Sequence, residues 1–199
     1  MLEDLNFVVN QRNHPTMEHW LKQIDQNTTD FQERFGALSS EALNWKPNPE
    51  AWSIAQNLDH LIVINESYFP IFAQRRAGTY RTPWHAKLGF IVNFLGKMIL
   101  QAVGTDRQKK IKTFPIWEPA SSVISEDILE RFVAHQQRLK EEFQACTPLL
   151  GKGAVISSPA NGNIVYSLET AFAVIVTHEQ RHLVQAEEML ALLPDFAAS

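Results

Sequence analysis

Residues 174–190 read "VIVTHEQRHLVQAEEML". Apolar residues recur at helical spacing along a stripe of Leu168, Ala171, Ile175, His178, His182, Ala186, Met189 and Leu193. Pro194 ends the segment. Two histidines therefore stand where the period asks for core side chains. Residues four apart share a helix face with Cβ atoms about 6 Å apart, so both imidazoles can reach one ion. An unpaired polar ring on a core stripe is costly, and burying two on adjacent turns requires partners for both. A metal ion supplies them. The competing reading is a pair of core histidines hydrogen-bonded to side chains or water.

The string "HEQRH" also matches the zinc-protease pattern H-E-x-x-H, with Glu179 in the place of the general base. That reading fails on the third ligand. Only residues 183–199 follow, and Glu187 and Glu188 continue the same helix and cannot fold back onto the ion.

Three more segments carry helical periodicity. The first has Trp20, Ile24, Phe31, Phe35 and Leu38 on one stripe. The second opens at "WSIAQ", where Ser53 and Gln56 form a capping box, and continues through Leu58, Leu61, Ile62, Asn65, Phe69 and Phe72. The third follows Ser125, with Glu126 and Asp127 in the first turn and a stripe of Ile128, Phe132, His135, Leu139, Phe143 and Cys146. Strand alternation is absent apart from a short extended piece around "GAVISS" and "NIVY". Four helices with one apolar stripe each predict an all-α four-helix bundle forming a single domain over residues 1–199.

The connections are uneven, and the one between helices two and three spans residues 77–124. It carries an apolar segment from Trp84 to Val103, read as one extra helix inserted between helices two and three. His85, Lys87, Asn93, Lys97 and Gln101 interrupt that segment, which disfavours a membrane span. Such a helix must be covered by the bundle, a second subunit or a membrane surface. Long crossover connections also let helices two and three run parallel.

Bulk properties narrow the function classes. A formal charge of −4 and one small basic cluster, Arg107 to Lys112, give no nucleic-acid face. The single cysteine, Cys146, excludes an intrachain disulfide and reads as a small core residue. The acidic start lacks the plan of a signal peptide, and the expected location is cytoplasmic. "GKGAVI" lacks the glycine pattern of a phosphate loop, and no G-x-S-x-G elbow is present.

A third ligand must come from elsewhere. His60, in "WSIAQNLDHL", lies on a flank of helix two shared with Ile64, and it counts only if that helix is buried broadly. His135 lies squarely on the core stripe of helix three. Spacing favours His135, and the residues alone leave both candidates open.

The stretch "LNWKPNPEAWSIAQNLDHLIVINESYF" (residues 43–69), together with "THEQRHLVQAEEML", resembles the DinB-like family, also called the YfiT-like metal-dependent hydrolases. Family members are similar in carrying W-S-x-x-[EQ]-x-x-x-H-L at helix two and H-x-x-x-H-x-x-Q at helix four. "KIKTFPIWEPASS" is similar to the segment before helix three. The resemblance covers roughly residues 17–193. It implies a four-helix bundle binding a divalent ion, nickel or zinc, through His60, His178 and His182. The helix of residues 84–103 is longer than that connection usually is.

Three neutral imidazoles leave coordination positions open, as in catalytic sites. The expectation is a divalent-metal-dependent enzyme acting on a small molecule, as a hydrolase or as a thiol-dependent S-transferase with a low-molecular-weight thiol. The alternative is a non-catalytic metal-binding bundle serving as a stress-linked binding or sensing module. Glu179, His135 and Gln185 are the candidate catalytic residues: Glu179 as a proton acceptor or a solvated helix residue, His135 as a pocket or core histidine, Gln185 as a support for the ligands. The inserted helix makes a homodimer the expected assembly if the bundle does not cover it.

Overall fold

The computed structural model describes residues 15–105, 117–119 and 123–194. Among these the chain forms α1 (Met17–Phe35), α2 (Ser40–Asn44), α3 (Ile54–Glu66), α4 (Phe69–Arg76), α5 (Gly89–Val103), α6 (Ile128–Ala145), β1 (Val155–Ser158), β2 (Asn161–Ser167) and α7 (Leu168–Ala191). Single 3-10 turns occur at Trp84–Lys87 and Thr147–Leu149. The N-terminal stretch, the basic cluster and most of "KIKTFPIWEPASS" lie outside the described residues.

Helix starts are set by side-chain caps. At α3 both halves of the capping box form: Gln56 N–H donates to Ser53 Oγ and Ser53 N–H to Gln56 Oε1, each at 3.1 Å. Ser167 Oγ accepts Thr170 N–H at 3.0 Å at the start of α7. A cap of this kind contributes about 1 kcal/mol and fixes where the helix begins, hence which residues face the core.

Paired side chains fix the helix directions. Asp59 meets Arg131 and Glu66 meets Arg138, both at 3.3 Å, so α3 and α6 run parallel. Asn27 meets Glu179 at 2.9 Å and Arg34 meets Glu187 at 2.5 Å, so α1 and α7 run parallel. Asp25 meets Lys140, while Phe31 packs on Phe132, so α1 opposes α6. Two helices point each way, in the order up, down, down, up.

Two apolar layers fill the bundle. One centres on Phe72, Phe143 and Phe172, with the last two stacked at 3.9 Å. The other holds Phe31, Phe35, Leu58, Leu61 and Phe132. Each such side chain stabilises the fold by roughly 1.5–3 kcal/mol on burial.

Two expectations need correction. The second helix is not continuous to Phe72: α3 ends at Glu66 and α4 begins at Phe69, with Pro70 in its first turn. Proline is suited to that position, because its missing N–H has no partner there to lose. Nor is the fold purely helical. Val155–Ser158 and Asn161–Ser167 pair as an antiparallel hairpin at the "GAVISS…NIVY" stretch.

The hairpin carries α5 against the bundle. Val92 and Ala86 pack on Val165, and α5 lies along α7. Gly96 permits this approach, since a Cβ there would meet Thr170 Cγ2 at 3.3 Å and Tyr166 Cβ at 3.4 Å. Arg181 Nη1 donates to the Ala102 carbonyl at 2.6 Å, capping the C-terminal end of α5 from α7. The opposite side of α5 is exposed among the described residues: Phe90 and Phe94 are 72% and 68% exposed. No helix among the described residues is long and apolar enough to cross a membrane.

Candidate metal centre

His60, His178 and His182 converge from α3 and α7, each offering one nitrogen so that the three lie within 4.8 Å of one another. His60 and His182 are buried, whereas His178 is half-buried against the cavity. The flank of α3 that carries His60 is enclosed because Ile54 to Ile62 are all buried, leaving that helix no solvent face along this stretch.

Two ring orientations are fixed from outside the trio. His60 Nδ1 lies 2.7 Å from the Trp117 carbonyl, which only accepts, so Nδ1 carries the proton and Nε2 keeps its lone pair. His182 Nδ1 lies 2.7 Å from Asn57 Oδ1. That amide is itself oriented, because its Nδ2 donates to the Ser53 carbonyl at 2.8 Å. His182 Nε2 then points at His178 Nε2, 3.1 Å away. Nitrogens bound to one ion at about 2.0–2.1 Å stand about 2.8–3.4 Å apart between octahedral and tetrahedral angles, so this separation fits a shared ion. The outside partners match the usual device by which a second hydrogen bond sets a ligand's tautomer.

Enclosure favours the neutral, ligating form. Desolvation lowers the His60 pKa, partly offset by the Trp117 carbonyl and Asp59. Desolvation also holds His178 well below its ordinary value, and the neighbouring His60 and Arg181 add to this. Trp52 covers the trio, tilted over His60 at 4.9 Å and stacked parallel to His182 at 6.0 Å.

The trio lies on the wall of a cavity of about 1080 Å³. Gln185, a sequence candidate, lines this cavity, as do Trp52, Asn57 and Arg181, which sequence reasoning had not assigned. For the first two the signal was available in "WSIAQN": Trp52 and Asn57 sit eight and three residues before His60, one at the helix entrance and one on the adjoining turn.

Glu179 is neither solvated nor at the trio. Fully buried, it accepts from Asn27 Nδ2 (2.9 Å), Asn65 Nδ2 (2.8 Å) and Gln136 Nε2 (2.7 Å), one amide from each of the other three bundle helices. Burial pushes its pKa up to about 7, and the three amide donors offset only part of that cost. The group ties the helices together between the two apolar layers, which sets the register at which α3 meets α7.

His135 is likewise apart. It stacks on Phe69 at 5.8 Å, and neither ring nitrogen has a hydrogen-bond partner among the described residues. Burial, with help from Arg138, lowers its pKa to about 4, so it is a neutral core ring. It does not line the cavity.

Residues 23–186 match the model of the DinB superfamily. Among solved structures, YfiT from Bacillus subtilis is similar in fold: TM-score 0.59 and 15% identity over 88% of this chain and 86% of that one. YfiT is described as a probable metal-dependent hydrolase with an unusual four-helix bundle topology. No protein of curated function matches the chain.

Proposed function

Because the chain belongs to the DinB superfamily, we propose that it is a divalent-metal-dependent enzyme acting on a small molecule, with His60, His178 and His182 as the ligands. One observation carries this reading: three imidazole nitrogens converge within 4.8 Å on the wall of a large cavity. Among the described residues no fourth histidine, cysteine or carboxylate joins them. Three protein ligands with cavity beside them leave room for a substrate atom, the arrangement of catalytic rather than closed structural sites. This favours an enzyme over a binding or sensing module.

Nickel or zinc suits the all-imidazole donor set. When bound, the ion would polarise a substrate oxygen and lower the pKa of a coordinated water or thiol. The chain's own residues do the rest. Asn57 and the Trp117 carbonyl hold the His182 and His60 rings in their ligating tautomers, and Trp52 keeps bulk water from that side. Gln185 presents an amide to the cavity for orienting a bound molecule. The description of YfiT supports a hydrolase; a low-molecular-weight thiol as co-substrate is the transferase form of the same proposal. The active species is a homodimer joined through the exposed face of α5.

The experiment is elemental analysis of the purified protein followed by a screen of small esters and amides, and of electrophiles with added thiols. One equivalent of a divalent ion and turnover abolished by chelation and restored by the ion are expected. A metal-free protein with His60, His178 and His182 intact, which takes up no ion on titration, would overturn the proposal.

A further inference from the structure

The cavity extends from the three imidazoles in two directions. Since α3 and α7 are antiparallel here (Asn57 meets His182 while Asn65 meets Glu179), Ile64 and Tyr68 face the Val174 and Ile175 end of α7. Ile99 of α5 and Ile164 of β2 close this inner arm. Tyr68 lies two residues past the end of α3, whose six residues beyond His60 span about 9 Å at 1.5 Å per residue. The charged side chains lining the cavity lie elsewhere: Arg181 and Glu118 beside the histidine level, Glu50 and Glu188 beyond it toward the other end.

The inner arm ends in hydroxyls. Tyr68 and Tyr166, 3% and 0% exposed, share a hydrogen bond of 2.9 Å. Ser158, also on the cavity wall, bonds to Tyr166. The three hydroxyls have three protons and two mutual bonds, so one proton is left over. If Tyr166 donates to Tyr68, it is the Tyr68 proton; if Tyr68 donates and Tyr166 turns to Ser158, it is the Ser158 proton, and both of these residues line the cavity. A ligand acceptor at Tyr68 or Ser158 selects these two arrangements over the third, in which Tyr166 accepts from both and keeps its proton off the cavity wall. A buried donor without an acceptor costs about 1–3 kcal/mol, so such a site selects a ligand that supplies one. Burial holds both phenols above the ordinary tyrosine range, so they stay neutral donors. A carboxylate or phosphate entering this arm would meet no cation among the described lining residues and would be desolvated at high cost.

We propose that the inner arm binds the uncharged part of the substrate: an apolar chain running from the histidine trio to a terminal neutral oxygen acceptor held by the Tyr68–Tyr166–Ser158 hydroxyls. This deepens the metal-enzyme reading above and rests on it.

The test uses the protein loaded with Co(II), whose visible spectrum reports thiolate binding, titrated with ethanethiol, 1-hexanethiol, 6-mercaptohexanol and 6-mercaptohexanoate. The expected order places 6-mercaptohexanol tightest. It should bind about tenfold more strongly than 1-hexanethiol, the size of one hydrogen bond, and still more strongly than the carboxylate. The double variant Tyr68→Phe/Ser158→Ala, which takes away both hydroxyls that can hold the leftover proton at the cavity, should remove the difference between the alcohol and the alkyl thiol while leaving cobalt stoichiometry and ethanethiol affinity unchanged. If that variant does not fold, the wild-type order across the four thiols decides alone. Cobalt bound with equal affinity for all four, or with the carboxylate tightest, overturns the inference and leaves the metal reading standing. Failure to bind cobalt overturns both.

Discussion

Asn57 Oδ1 accepts the Nδ1–H of His182 at 2.7 Å, and the same amide donates to the Ser53 carbonyl at 2.8 Å. The helix cap and the histidine ring are thus linked through one side chain. Ser53 sets where α3 starts, Asn57 hangs from its carbonyl, and His182 is turned by Asn57. Replacing Asn57 with alanine should leave the ring free to rotate and to change tautomer. Ion affinity should fall roughly 10- to 100-fold, the range for losing an outer partner of a ligating histidine. Competition against a chelator of known affinity measures this. An unchanged affinity would show that the amide does not govern the ring.

His135 gives a pH dependence that is independent of any ion. Its pKa is about 4 in the folded chain, against about 6.5 unfolded. Between these values the unfolded chain binds the proton and the folded one does not. Stability is therefore full above pH 6.5 and is lost progressively as pH falls toward 4, by an amount on the order of 3 kcal/mol. His135→Phe removes the titrating group and two buried nitrogens that have no hydrogen-bond partner among the described residues, and keeps a ring to stack on Phe69. Denaturant unfolding at pH 7.5 and pH 5 should show a smaller pH dependence in the variant, with equal or higher stability at pH 5. An identical dependence in both proteins would contradict the assignment.

The exposed face of α5 predicts assembly. Phe90, Phe94 and Met98 lie at i, i+4 and i+8 and are 72%, 68% and 40% exposed, and Trp84, in the turn before α5, is 76% exposed. A row of large apolar residues at this spacing is the geometry of a helix–helix contact, and stable interfaces bury about 800 Å² per partner. Sedimentation should give a dimer for the natural sequence and a monomer for Phe94→Glu, with helical content unchanged. A monomeric natural protein at tens of micromolar would exclude this interface.

Much of the bundle is legible in the sequence because core residues repeat at the helical period, and caps such as Ser53–Gln56 mark the starts. The histidine pair on α7 is legible for the same reason, since two polar rings break an otherwise apolar stripe. His60 is not legible from periodicity. It sits on a secondary flank of α3, and its burial depends on α7 and on the Trp117 backbone, neither of which local sequence encodes. Only the family resemblance pointed to it over His135. Glu179 misleads for a related reason: a lone carboxylate reads as solvated, and the three amides that hold it come from three other helices. The break at Ser67–Tyr68 escaped because the apolar stripe continues across it.

The ion and its ligands are tested most directly by titrating the protein and two single variants with nickel and zinc under identical conditions, following occupancy by elemental analysis. The account predicts one equivalent for the natural sequence, binding weakened at least tenfold in His60→Ala, and full occupancy in His135→Phe. Loss of the ion on changing His135, with none on changing His60, would contradict it.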